Sequence, residues 1–386
     1  VKHLNNIGIA LRKFHDKEQW NLSRNVWEKY LLIAWKQTFP GAEIKRDTDF
    51  FELVGNGSTA LMGIRMRKYL EKVSKREFPL FLLFENPTIE ELSLALSKWQ
   101  IKEGKWSNLV MIREGCQDYP LFCFHAIEGN SIWYREMAET LPQGQRVYGL
   151  EAPGLDKRQI PCFSMEELAS RHIREIKKVQ HAGPYFLAGY SFGGLVAFEV
   201  ARQLECSGDT VGSLAIIDRS SPLAARKRFF GLVCPVELTF EKGRSLVGRF
   251  RCHWYWTSKW IRTGFRKRIA FLMVSRGLRV PFMRKIMRDT SHFIMMFYKP
   301  KTLYKGPMLL LRQRIKKNER SLVHERFLRE DYGWSEYIKG NITVRYIPGP
   351  DHKSVMNRPY SYNLASLIQG ARPVYPVNPP KDSKLL

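Results

Sequence analysis

Ser191 stands in Gly189-Tyr190-Ser191-Phe192-Gly193-Gly194, after an apolar run (Tyr185-Phe-Leu-Ala) and before a helical pattern (Leu195-Val-Ala-Phe-Glu-Val-Ala). A strand that turns into a helix through G-x-S-x-G is a nucleophile elbow. The turn is so tight that a Cβ at either glycine would strike the neighbouring strand or helix, and it lifts the serine oxygen clear of the backbone. It also leaves the Phe192 N–H at a helix N-terminus, where an oxyanion would form. A Gly-rich turn around a solvated serine is the bland alternative, and the strand–turn–helix context argues against it.

A serine hydroxyl is a weak nucleophile, so it needs a base, and the base needs a partner to orient it. This kind of elbow is followed along the chain by an acid and then a histidine. Asp218 closes the apolar run Ser213-Leu-Ala-Ile-Ile and is the expected acid; a turn or helix-cap aspartate is its alternative. Asp209 and Asp331 lie in turn-like sequence. His352, in Pro348-Gly-Pro-Asp-His-Lys-Ser after a late apolar run, is the expected base. Asp351 is the rival orienter by adjacency, but neighbouring loop side chains seldom point at one another. His125 ends an earlier run, Leu121-Phe-Cys-Phe, and is read as a structural histidine beneath the loop His125-Ala-Ile-Glu-Gly-Asn. In an oxyanion hole of this type a backbone N–H from such a loop joins that of the residue after the serine. Ile127 and Phe192 are the expected donors.

The elements that must carry these residues follow from the apolar patterning. Runs at 121–124, 147–150, 184–189, 212–218, 307–311 and 342–347 alternate with helical patterns, which implies an α/β fold with a parallel sheet covered on both faces. Apolar spacing predicts a small helical bundle at about 24–98, with Thr88 as an N-cap and Glu91 three residues on. Residues 99–118 read as a polar connection. At 386 residues the chain has room for one large and one small domain, on a prior of about 100–200 residues each. The six cysteines show no C-x-x-C spacing and no nearby histidine in a zinc pattern. Scattered thiols fit a reducing cytoplasm better than a disulfide framework, and no metal site is expected. The opening Val-Lys-His-Leu-Asn-Asn has no signal-peptide character, and 1–23 reads as a linker or the end of an upstream domain.

Phe122-Cys-Phe-His-Ala-Ile-Glu-Gly-Asn, Val147-Tyr-Gly-Leu-Glu-Ala-Pro-Gly-Leu-Asp, Gly183-Pro-Tyr-Phe-Leu-Ala-Gly-Tyr-Ser-Phe-Gly-Gly and Pro348-Gly-Pro-Asp-His together resemble a type I thioesterase. Such domains terminate nonribosomal peptide synthetases, polyketide synthases and fatty acid synthases. The resemblance covers about 119–370 and implies an α/β-hydrolase fold in which Ser191, Asp218 and His352 form a catalytic triad. It also implies that 223–300 is a helical lid over an acyl tunnel, with 371–386 a C-terminal tail. The segment 24–98 is similar to the carrier domain that precedes such a thioesterase, through Asp47-Thr-Asp-Phe-Phe-Glu-Leu and Phe84-Glu-Asn-Pro-Thr-Ile-Glu-Glu-Leu. That likeness implies a 4′-phosphopantetheine cofactor, added by a phosphopantetheinyl transferase to a serine at a helix start. Here the sequence departs from the family's Leu-Gly-Gly-(Asp/His)-Ser. Counted without a gap from Leu53, the serine's place falls on Gly57, and Ser58 is one residue late. Either the loop holds one extra residue and Ser58 is modified, or the attachment site has been lost.

The formal net charge is +26, and residues 223–300 hold 18 Lys or Arg against 3 acids. Lid helices that solvate this charge are the leading reading. Contact with a membrane surface ranks below it, and nucleic acid, for which no recognised module is present, ranks last. The function expected is release of a carrier-bound acyl, polyketide or peptidyl chain delivered by upstream synthase modules. A stand-alone serine esterase or lipase with a vestigial carrier is the second reading, and a non-catalytic docking module of a megasynthase is the third.

Overall fold

The short apolar runs become strands of one sheet in the computed structural model, with the middle strands buried on both faces and β7 (Ile342–Tyr346) at the edge half-buried to exposed. The structure describes residues 26–54, 59–74, 82–98, 107–117, 119–156, 159–222, 246–276, 282–313, 329–352 and 354–371, together with 78, 80, 224, 278 and 280. Two units separate, one of Val1–Trp106 with Met356–Pro359, the other of Ser107–Val355 with Tyr360–Leu386.

The first unit is helical: α1 (Val26–Thr38), α2 (Phe50–Val54), α3 (Thr59–Ser74), α4 (Leu82–Glu85) and α5 (Ile89–Lys98). Trp35 and Phe50, both fully buried, meet edge to face at 5.4 Å, which fixes α2 against α1. The Asp49 carboxylate accepts the Phe51 N–H at 2.6 Å and starts α2. Thr88 and Glu91 form the expected capping box, with the Glu91 N–H donating to Thr88 Oγ1 at 3.2 Å and the Thr88 N–H to Glu91 Oε2 at 3.4 Å. Arg46 bridges Glu28 of α1 at 2.7 Å and Glu90 of α5 at 3.1 Å.

The second unit holds β1 (Leu109–Arg113), β2 (Leu121–Phe124), α6 (Arg135–Glu139), β3 (Val147–Leu150), α7 (Met165–Ile176), β4 (Tyr185–Tyr190), α8 (Phe192–Cys206) and β5 (Val211–Ile217). It continues through α9 (Leu246–Ser275), α10 (Met283–Phe297), β6 (Met308–Arg312), β7 (Ile342–Tyr346) and α11 (Tyr360–Gly370). The sheet order is β1-β3-β2-β4-β5-β6-β7, antiparallel between β1 and β3 and parallel elsewhere. Every residue of β2, β3, β4 and β6 is buried, as the unbroken apolar runs require. Helix α8 packs on α7 and lies over β2, β4 and β5, while α6 pairs with α11.

Strand β1 corrects the reading of 99–118 as a polar connection, and it makes the strand before His125 the second rather than the first. Leu109-Val-Met-Ile-Arg is an edge strand in which Val110 and Ile112 are buried and their neighbours are half exposed. One five-residue apolar face at the end of a polar stretch leaves little periodicity to detect.

Helices α9 and α10 lie between β5 and β6 in the chain, and 225–245 fall outside the described residues. Helix α9 carries seven Lys or Arg and no acid. Beyond α10, the Tyr298 hydroxyl donates to Glu199 Oε2 at 2.5 Å, and Glu199 holds Arg202 at 2.6 and 2.8 Å inside α8. Glu199 is fully buried. A buried carboxylate with its charge and its hydrogen bonds matched is tolerated, whereas losing one partner typically costs about 3–5 kcal/mol. This cluster therefore pins the residue that follows α10 to the core helix α8, which begins directly after Ser191.

Candidate active site

Ser191 leaves β4 with φ 55° and ψ −122°, in backbone space that a residue with a Cβ rarely adopts. Its N–H donates to the Ile217 carbonyl at 3.0 Å, and its carbonyl accepts the Gly194 N–H at 3.0 Å. The glycines are needed for the reason read from the motif. A Cβ on Gly189 would overlap the Gly193 carbonyl, and one on Gly193 would overlap the Phe124 carbonyl at the end of β2. The second of these contacts shows that the backbone leaving β2 runs beside the start of α8. Phe192 opens α8, and Ile127 sits half-buried in the turn that follows β2. The Phe192 N–H is thus among the helix-start amides that lack an intrahelical acceptor.

The three residues singled out for nucleophile, acid and base meet at the carboxyl ends of β4, β5 and β7. His352 Nε2 lies 2.9 Å from Ser191 Oγ, and His352 Nδ1 lies 2.6 Å from Asp218 Oδ2. A carboxylate only accepts, so the proton sits on Nδ1 and Nε2 is left to accept from the serine hydroxyl. Asp218 also takes a positive φ, 47°, directly after β5. Its N–H donates to the Leu311 carbonyl at 2.6 Å, and its Oδ1 accepts the Gln313 N–H at 3.3 Å. The Asp218 side chain is 9% exposed and the imidazole 45%, so the carboxylate is shielded while His352 faces solvent.

The rival carboxylates are engaged elsewhere. Asp209 precedes β5, at the opposite end of the strand from Asp218, and pairs with Lys177 at 2.7 Å. Asp331 accepts the N–H groups of Gly333 and Ser335 at 3.0 and 2.8 Å. Asp351 caps the turn at Ser354, whose N–H donates to Asp351 Oδ1 at 3.0 Å. Sequence reasoning does not single out Gln313 or Tyr190, whose hydroxyl donates to the His352 carbonyl at 2.7 Å. For Tyr190 the signal was present, an aromatic residue wedged between the elbow's first glycine and its serine. Ser58 lies outside the described residues, with α3 beginning at the next position, Thr59. A polar cleft of about 280 Å³ between Asn108, Gln159, Arg171 and Glu175 contains none of these groups.

Residues 119–228 match the family model described as a thioesterase domain. The chain carries a thioesterase domain. It is 32% identical to indigoidine synthase of Dickeya dadantii over 222 residues, which is 58% of this chain and 14% of that protein. It is 28% identical to malpibaldin synthetase of Mortierella alpina over 318 residues, 82% of this chain and 5% of that one, a match long enough to reach into the helical unit. The chain therefore spans a small part of the curated relatives it matches. The fold also resembles that of a four-domain nonribosomal peptide synthetase, with a TM-score of 0.52 and 24% identity over 91% of this chain and 26% of that one. The seven-stranded sheet, with its elbow between β4 and α8, is an α/β-hydrolase fold.

Beneath the turn after β2 the thioesterase domain buries two histidines outside the serine relay. His125 donates from Nδ1 to the Ala126 carbonyl at 2.8 Å and packs on His172 and Phe192, with ring centroids 5.4 and 5.8 Å away. Burial pushes His125 down to about 4 and His172 well below its usual 6.5. Both are neutral in the folded protein at neutral pH, while in the unfolded chain they titrate near 6.5. Above that value they cost nothing. As the pH falls from 6.5 towards 4, the unfolded chain binds protons that the folded one refuses, and stability is lost. Urea midpoints measured at pH 7 and pH 4.5 should fall less for His172→Leu than for the parent. An equal fall in both would contradict the assignment.

Proposed function

We propose that this chain is a serine thioesterase that releases an acyl, polyketide or peptidyl chain from a phosphopantetheine carrier, by hydrolysis or cyclisation through an acyl-enzyme. The observation that carries the reading is the unbroken contact from Ser191 Oγ to His352 Nε2, and from Nδ1 to Asp218 Oδ2, at 2.9 and 2.6 Å. Ser191 Oγ attacks the thioester carbonyl and gives its proton to His352 Nε2. Asp218 holds the ring and stabilises the imidazolium that forms. The N–H groups of Phe192 and Ile127 receive the oxyanion of the tetrahedral intermediate. Its collapse breaks the C–S bond, and the leaving sulfur takes the proton from His352. Water, or a hydroxyl or amine within the bound chain, then attacks the acyl-serine and loses its proton to His352, which returns it to Ser191.

The unit at 24–98 is proposed as the carrier, 119–370 as the thioesterase, and 223–300 as its lid over an acyl tunnel. Upstream synthase modules would supply the loaded chain. Ser58 is proposed as the attachment residue for 4′-phosphopantetheine, which when bound supplies a thiol on a long flexible arm. The place of Ser58 in the sequence, directly ahead of the helix that starts at Thr59, supports this choice. Among the described residues Cys116, Cys162 and Cys206 are free thiols, which accords with a reducing, cytoplasmic setting.

Ser191→Ala should leave the thermal transition unchanged and lower release from an acyl-thioester by about 10³-fold or more. Turnover of that variant at the parental rate would end the proposal. Intact-mass analysis after incubation with coenzyme A and a phosphopantetheinyl transferase should show one adduct, absent from Ser58→Ala. An adduct on both proteins, or on neither, would remove Ser58 from the scheme.

A further inference from the structure

Among the described residues, His352 stands on a loop bounded by Pro348, Gly349 and Pro350, with its imidazole 45% exposed. One bond to Asp218 and one to Ser191 fix two points of that ring, but they leave it free to rock about the line through its nitrogens. The same two bonds also do nothing to hold the backbone of the loop. Tyr190 supplies both restraints. Its hydroxyl donates to the His352 carbonyl at 2.7 Å, and its ring lies against the imidazole at 5.0 Å between centroids with 26° between planes.

We infer that Tyr190 is a positioning residue for the base, clamping the His352 backbone with its hydroxyl and the imidazole plane with its ring. The inference rests on the reading of Ser191, Asp218 and His352 as a proton relay.

Tyr190 is itself rigidly held. It is 3% exposed, it meets Trp133 at 6.0 Å, and its N–H donates to the Tyr134 hydroxyl at 2.6 Å. That hydroxyl in turn donates to the Phe124 carbonyl at 2.7 Å, at the end of β2. Two tyrosine hydroxyls thus tie together the strand before the oxyanion turn, the elbow and the loop that carries the base. Burial, with Asp218 nearby, pushes the Tyr190 phenol upward, so it stays protonated and able to donate. The stacked face also suits the reaction. As Nε2 takes up the serine proton the ring becomes cationic, and an aromatic face attracts a cation. Tyr190 immediately precedes Ser191, so the clamp and the nucleophile move as one piece of backbone.

Tyr190→Phe removes one oxygen and keeps the stack, while Tyr190→Leu removes both. In the full chain, Tyr190→Phe should lower kcat for an acyl-thioester about 3- to 10-fold, the worth of one net hydrogen bond, with KM within about twofold of the parent. Tyr190→Leu should lower kcat further, by about 100-fold, as the base loses its orientation as well. Labelling of Ser191 by a fluorophosphonate, which uses the same base, should slow in the same order. The downfield proton resonance of the His352 Nδ1–H bonded to Asp218 should be present in the parent and broadened in Tyr190→Phe. Labelling and kcat of Tyr190→Phe at parental values, or a loss confined to KM, would overturn the inference. Should Tyr190→Leu fail to fold, the near-isosteric Tyr190→Phe still decides. A parent protein that fluorophosphonate does not label at Ser191 would refute the underlying relay instead.

Discussion

A serine with φ near +55° is held in that conformation only because Gly189 and Gly193 bring no Cβ to a place where two backbones touch. Strain of this kind costs about 1–3 kcal/mol and persists only where the surroundings over-determine it. Here they do, since β4 is buried along its whole length and α8 lies over three strands of the sheet. The turn between them has no freedom to relax. Everything proposed for the site follows from this constraint. It lifts Ser191 Oγ towards His352, opens α8 at Phe192, and sets the start of α8 against the backbone that leaves β2.

The same economy recurs around the site. Asp218 also takes a positive φ at the end of its strand, and its backbone is bonded to the neighbouring strand β6 while its carboxylate faces the base. His352 has no such strand beneath it, and its loop is held by side chains: Tyr190 on its carbonyl, Gln313 on the Asp351 carbonyl at 2.9 Å, and the turn at Ser354. Backbone support therefore falls from Ser191 to Asp218 to His352, and polar tethers are concentrated where it is weakest. The buried His125–His172 pair fills the space below the turn after β2 with polar rings kept neutral, which makes that floor firm at neutral pH and vulnerable to acid.

Much of this was legible in the residues. The elbow is local, so its spacing alone located Ser191 and Phe192, and unbroken apolar runs located the parallel strands. The ends of those runs then pointed to Asp218 and His352, because a charged or titratable residue just after a buried strand has few other reasons to be there. Strand β1 escaped notice because an edge strand buries one face, and Val110 and Ile112 are too few to set a period. The partners of Asp209, Asp331 and Asp351 were likewise invisible, since turn bonds depend on backbone geometry that composition does not encode. Tyr134 is the hardest case. It lies 56 residues from the amide it meets, and nothing in its sequence surroundings marks it out.

The proposed chemistry requires that an acyl chain pass through Ser191. Rapid acid quenching of the protein during turnover of a slow acyl-thioester, followed by peptide mapping, tests it most directly. A transient acyl mass should appear on the peptide that contains Ser191, formed before product and lost as product appears. Turnover with the acyl group on a cysteine such as Cys206, or with no covalent species at any time point, would contradict it.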